Sequence, residues 1–411
     1  MGRVGWSDLP AELLTKIAEH LTTHTDLLRF RAVCSSWRSS AASPSNKSPP
    51  LPLQLPFPIA PHSFLNPNRR GFFALTESTI YRIQPLQEHR NPSTSQSGSK
   101  GFLFRLQEGK SGSIRLLIPL STQPIKPLPE TFPKVLNLLD SRISEINKSY
   151  SLEFVHLSNT LLGLGELSAV IVDKVVILSK ADDFRVLVIY AGKLNFFKLG
   201  DEKWTVIDDE RLVSYDDIID YNGQLCAIDH DGRVVLIDSS LMIREIACSI
   251  SGGGGHQKHL VEAFGDLLLV DRYLDYGPRY NGEAEQNRIY KYNFADITIN
   301  FKVYKLNERE GRWIQLKSLG DLVLFVCEDC CFSVSVRDFD GCKGNCIYFT
   351  DKLFSRCYGY DHAFRGISGH DTGVFNLEDG SLGLLESYPG YSQIFWPPPA
   401  WLRPSPCSSG C

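Results

Sequence analysis

The stretch LCAIDHDGRVVLI (residues 225–237) sets two short apolar runs on either side of an Asp-His-Asp-Gly break. Runs of this length, rich in Val and Ile and bounded by turn formers, read as β-strands. The same alternation recurs at residues 167–178, 184–190 and 319–326, so the chain from residue 71 onward reads as mainly β. Gly165-Glu166-Leu167, Gly223-Gln224-Leu225, Gly265-Asp266-Leu267 and Gly320-Asp321-Leu322 each open or interrupt an apolar run, at spacings of 58, 42 and 55 residues. Propeller blades repeat at roughly 40–50 residues, so the intervals predict a radial β architecture with variable insertions, not a solenoid, and leave the blade number open. Trp204 and Trp313 are expected in blade cores, and Trp396 and Trp401 are expected to pin a closing strand.

Some segments depart from this pattern. Between residues 133 and 147, Val135, Leu138, Leu139, Ile143 and Ile146 recur at three- and four-residue intervals, which predicts a helix. Residues 91–100, the glycine tract 251–255 and residues 276–286 are poor in apolar side chains and read as inserted or mobile loops. His256-Gln257-Lys258-His259 after the glycines resembles a phosphate loop or a metal pair only superficially. A Walker loop needs Gly-Lys-Ser/Thr opening a helix, whereas residues 260–264 look extended. A flexible insertion is the expectation there.

The first 42 residues follow a different period. Leu13, Leu14, Ile17, Ala18 and Leu21 fall at helical spacing behind Pro10, with Asp8 and Glu12 at the positive end. Thr25 is the expected N-cap of a second helix carrying Leu27, Leu28, Phe30, Val33 and Cys34, and Trp37 lies on a short third one. Residues 43–70 hold a dense run of prolines, which remove backbone donors and favour extended geometry, so they read as a linker. Three short helices bury too little surface to stand alone, and their apolar stripe must pack on something else.

The residues Trp6, Leu9-Pro10, Glu12-Leu13-Leu14, Ile17, Leu21, Leu27-Leu28, Val33-Cys34 and Trp37 resemble the F-box, the motif that binds the Skp-type adaptor of SCF ubiquitin ligases. The resemblance implies that Leu9, Pro10, Leu13, Ile17, Leu21, Leu28, Val33, Cys34 and Trp37 face the adaptor or the small core shared with it. Farther along, residues 201–205, 301–306, 344–351 and 394–401 resemble plant F-box proteins whose second domain is kelch-related. That likeness implies a kelch-like β-propeller over residues 71–404, behind an F-box at 1–42 and a linker at 43–70. It implies a substrate receptor that reaches a cullin through the adaptor and holds a protein substrate it does not identify.

Composition narrows the alternatives. With 43% hydrophobic residues in 411 the chain can build a large core, and a net charge of -4 gives no reason to expect a nucleic-acid partner. No signal peptide or membrane-length apolar run is evident, so the nucleus or cytoplasm is expected. Eleven cysteines are too few for a disulfide scaffold and their odd number leaves a thiol over. Cys327, Cys330, Cys331, Cys342 and Cys346 with His362 and His370 invite a zinc reading, but the spacing fits neither a knuckle nor a RING, so no metal and no cofactor are expected. No HExxH, GxSxG or dinucleotide loop occurs, and no catalytic or substrate-binding residue is assigned. Three other readings stay open: an amphipathic hairpin folded onto the chain's own sheets, a propeller enzyme with a helical appendage, and a scaffold that binds the adaptor without directing degradation.

Overall fold

The computed structural model of the chain describes residues 9–21, 24–41, 51–56, 71–85, 101–108, 114–122, 124–125, 141–156, 172–180, 183–207, 211, 213–252, 254–275, 297–327, 329–339, 343–350 and 371–383. The chain divides into two compact units, one of residues 1–50 with 179–184 and one of residues 51–178 with 185–411. The first holds three helices: α1 (Ala11–Glu19), α2 (His24–Ala32) and α3 (Ser35–Ser40). Helix α2 starts at His24, so Thr25 sits in its first turn instead of at the expected cap. No described helix is long and apolar enough to cross a membrane.

The strands among the described residues form five sheets, the blades of a β-propeller. Blade A comprises β1 (Leu53–Leu55), β2 (Gly71–Pro85), β3 (Phe102–Glu108), β4 (Ile114–Leu117) and β5 (Ser141–His156). Blade B comprises β6 (Val172–Lys180), β7 (Asp183–Tyr190), β8 (Lys193–Lys198) and β9 (Thr205–Val206). Blade C is β10 (Tyr215–Tyr221), β11 (Gln224–Asp229), β12 (Val234–Ile237) and β13 (Ile243–Ala247). Blade D is β14 (Gln257–Ala263), β15 (Asp266–Asp275), β16 (Ile297–Asn307) and β17 (Arg312–Leu316). Blade E is β18 (Leu322–Val326), β19 (Cys331–Ser335), β20 (Cys346–Phe349), β21 (Gly373–Asn376) and β22 (Leu382–Gly383), with β18 and β20 parallel and the other pairs antiparallel.

The apolar runs are continuous because each blade is covered on both faces. Val234, Val235, Leu236 and Ile237 are all buried, Val235 and Ile237 packing with Leu187 and Ile189 of blade B and Val234 with Leu260 and Leu269 of blade D. Blades D and E share Val270, Phe301, Leu324 and Phe349, and blades E and A share Phe325, Tyr348, Ile80 and Leu103. Blade B meets blade A through Trp204, whose Nε1 donates to the Pro56 carbonyl at 2.8 Å.

Polar ties cross the other four seams. Arg105 on β3 pairs with Asp329 between β18 and β19, while its guanidinium also donates to the Ser78 and Ser149 hydroxyls. Arg272 on β15 meets Asp371, just ahead of β21, at 2.5 Å. The Asp217 carboxylate on β10 accepts the Leu260 amide of blade D at 2.9 Å and the Lys174 ammonium of blade B at 2.9 Å. Cations and anions are thus buried together at the joints, the condition under which burial of charge is tolerated.

Several expectations are corrected. The helix expected over 133–147 is strand β5 from Ser141 onward, and residues 133–140 lie outside the described residues. Opposite β2 the register slips between Ile80 and Tyr81, which face Asn147 and Glu145 and leave Ile146 as an extra residue. A bulge interrupts the two-residue alternation, and the resulting Ile143–Ile146 interval imitates a helical one.

In the expected linker, Leu53–Leu55 pairs with Leu75, Ala74 and Phe73 as an edge of blade A. The glycine tract is held instead of mobile at its end. Gly255 donates its amide to the Asp271 carboxylate at 2.8–2.9 Å, its carbonyl accepts Lys258 Nζ at 2.7 Å, and a Cβ there would come within 2.5 Å of the Arg272 carbonyl. His256 to His259 lead into and form β14, so they are blade structure and not an insertion.

The Gly-Xaa-Leu repeat marks one turn twice. Asn222-Gly223 and Phe264-Gly265 carry positive φ angles of 54°, 75°, 53° and 84° between the first two strands of blades C and D, the geometry of a tight hairpin turn. Gly320 instead precedes β18, and Gly165 lies outside the described residues. Trp204 is buried and Trp313 packs against the seam between blades C and D, as expected, whereas Trp396 and Trp401 are outside the described residues.

Asp329→Asn or Arg105→Met should each cost about 3–5 kcal/mol in denaturant unfolding, because each strands a buried charge, while joint apolar replacement should cost less. Burial pushes the Asp329 carboxyl up, but the Arg105 guanidinium outweighs this and holds it below its ordinary value. Its stabilisation is therefore complete above about pH 4 and lost as pH falls through the lower folded value. Asp329→Asn should accordingly be more destabilising at pH 7 than at pH 3; equal losses at both would refute the pairing.

Candidate functional site

The three-helix unit is built around a very small core. Leu14 is completely buried with Phe30 and Ala41, and Leu9, Ala18, Leu21, Leu27 and Trp37 pack around them. The Phe30 and Trp37 rings stand 4.5 Å apart at a tilt of 39°. Pro10 opens α1 with extended geometry (φ -56°, ψ 142°), its carbonyl accepting the Leu13 and Leu14 amides.

Polar contacts tie the helices together. Thr15 Oγ1 donates to the Ser40 carbonyl at 3.0 Å, joining α1 to α3. Arg31 Nη1 donates to the Ala41 carbonyl at 2.6 Å, and Arg38 Nε returns a bond to the Arg31 carbonyl at 3.1 Å. Cys34 occupies the N-cap position of α3, and its bond with the Ser36 hydroxyl, helped by the Trp37 amide, lowers its thiol below the ordinary cysteine value.

The residues expected at an interface separate into two groups. Leu9, Leu21 and Trp37 belong to the internal core, and Cys34 is half-buried. Pro10, Leu13, Ile17 and Val33 are exposed, Leu13 by 48%, Ile17 by 38% and Val33 by 55%. Pro10, Leu13 and Ile17 follow one face of α1 at intervals of three and four. The Leu28 side chain is outside what the structure describes. Sequence reading missed Thr15, Arg31 and Arg38, whose partners are backbone carbonyls that no side-chain pattern reveals.

In the propeller, β14 lies against β10 of blade C and β19 of blade E. Lys174, Asp217, His259, Cys331 and the Arg105–Asp329 pair gather around them. Burial works against the charge of Lys174, yet the neighbouring Asp217 carboxylate holds its ammonium protonated above the usual lysine range. Both carboxylates are engaged by cations, so neither is placed as a free general base.

Comparisons with known proteins agree with this division. The KIB1-4 beta-propeller family model matches residues 72–376, and an F-box-like model matches residues 6–46. Among similar proteins of Arabidopsis thaliana, F-box protein SKIP23 is 33% identical over 97% of this chain and 96% of its own length. Putative F-box protein At5g60060 is 33% identical over 94% of this chain and 96% of its length, and F-box protein At2g17036 is 30% identical over 97% and 95%.

Leu14→Ala should cost about 2–5 kcal/mol in the local stability of the helical unit, because it empties the centre of a core with few other members. Leu13→Ala should change it by roughly 0.5 kcal/mol or less. Amide hydrogen exchange across α1 and α3 reads both, and comparable losses of protection in the two variants would contradict the assignment of Leu14 as core and Leu13 as surface.

Proposed function

Because the chain belongs to the KIB1-4 beta-propeller family and is an F-box protein, we propose that it is a substrate receptor of an SCF-type ubiquitin ligase. The observation that carries this reading is the exposed apolar row of Pro10, Leu13 and Ile17 along α1, with Val33 also exposed after α2, on a unit that already has its own core. In this reading those four side chains, with Cys34 and Leu28, meet a Skp-type adaptor, and Leu9, Leu21 and Trp37 hold the helices in the shape that presents them. The adaptor links the chain to a cullin, and the propeller holds a target protein through its loops.

The chain then contributes no chemistry of its own. Tethering a target lysine near a charged conjugating enzyme replaces a rare bimolecular encounter by a local one, worth orders of magnitude in rate. The engagement of Asp217 by Lys174 and of Asp329 by Arg105 supports this non-catalytic reading. The proposed site of action is the nucleus or cytoplasm.

Co-purification with a Skp-type adaptor tests the docking surface. Leu13→Asp and Ile17→Asp change exposed positions and should leave the fold intact, yet weaken adaptor binding by about 2 kcal/mol or more, roughly 30-fold. Trp37→Ala should weaken it through loss of the core. Wild-type affinity in Leu13→Asp and Ile17→Asp would place the interface elsewhere.

A further inference from the structure

Three adjacent blades each deliver one metal-ligating side chain to a single place: Asp217 from β10, His259 from β14 and Cys331 from β19. One ligand atom from each lies within 4.8 Å of the other two. Asp217 and His259 are buried, at 1% and 9% exposure, and Cys331 is half-buried. We propose that these three residues form a site for a zinc-class divalent cation, with a fourth position left for water or an incoming donor.

The donor set selects the ion. Thiolate, imidazole and carboxylate together suit zinc and its neighbours in the transition series, whereas calcium and magnesium take oxygen ligands. Bonds of ~2.0–2.3 Å place tetrahedral ligand atoms about 3.5 Å apart, so the present separations close by adjustments of about 1 Å. The half-buried Cys331 leaves one side accessible to the ion.

The surroundings already orient the carboxylate. Asp217 Oδ1 accepts the Ile218 amide at 2.8 Å and Lys174 Nζ at 2.9 Å, and Oδ2 accepts the Leu260 amide at 2.9 Å. Such outer contacts hold ligands in place at established metal sites. Lys174 balances the carboxylate in the absence of a cation, so the blades stay joined with or without metal, and the ion is a bound ligand instead of a condition for folding.

The site also explains why chain spacing gave no sign of it. Its ligands are 42 and 72 residues apart, at positions 217, 259 and 331, and belong to no short motif. Cys327 and Cys330, the pair with ligand-like spacing, are buried in the neighbouring loop, where the Cys327 amide donates to the Cys330 carbonyl at 2.9 Å. They are absent from the triad.

The full-length chain, stripped with a chelator and titrated with zinc or cobalt, tests the proposal. Wild type should retain close to one equivalent of either ion after gel filtration, and the cobalt form should show sulfur-to-metal charge-transfer absorption. Cys331→Ser should abolish that absorption and His259→Gln should weaken binding at least tenfold, while Cys327→Ser leaves both unchanged. Far-ultraviolet circular dichroism should be the same in stripped and loaded protein. A wild-type chain that takes up no stoichiometric metal overturns the site whatever the variants do, and so does an undiminished charge-transfer band in Cys331→Ser.

Discussion

Five small sheets make one domain only if every seam between them holds, and here charges and amides that water can no longer reach bridge four of those seams. Arg105 with Asp329 joins blades A and E, Arg272 with Asp371 joins D and E, and Asp217 joins B, C and D through Lys174 and the Leu260 amide. The remaining seam, between A and B, is bridged by the Trp204 indole on the Pro56 carbonyl. Apolar contact alone would hold the sheets together without choosing a partner or a register. A buried charge costs several kcal/mol unless its one correct partner arrives, so these ties make each sheet particular about its neighbour.

The helical unit solves a different problem. Leu14, Phe30 and Ala41 are too few to stabilise three helices amply, and the backbone bonds from Thr15, Arg31 and Arg38 compensate at the helix ends. With the core supplied from within, Leu13, Ile17 and Val33 have no structural duty toward it and remain outside. The proposed docking surface is drawn from these residues because the core of the unit does not use them. The same unit thus separates residues that shape it from residues that face outward, although both kinds look alike in sequence.

The two parts also differ in how function can be read from them. The helical unit uses a dense local pattern in which neighbouring residues share one face, so a resemblance can be carried over position by position. The propeller builds its polar centre from Lys174, Asp217, His259 and Cys331, one from each of four blades. No local pattern links them, and target recognition on a propeller rests on loops whose sequences follow no shared rule.

By itself the sequence indicated the class of each part: short apolar runs rich in Val and Ile between turn formers read as strands, and the stripe beginning at Pro10 reads as an amphipathic helix, because side-chain period follows from backbone geometry. It also determined the order of the parts and the candidates for the outward face. Only the tertiary structure decided that Leu13 is outside and Trp37 packs against the core, that Leu53–Leu55 is a strand, and that residues 141–147 belong to β5, where a bulge at Ile146 disguised the alternation. The same holds for the Gly255 turn, whose rigidity comes from Asp271 on another strand. For the strands and the Gly255 turn the deciding partner lies on another strand, and a hydrogen bond or covering blade from elsewhere in the chain leaves no mark on local periodicity.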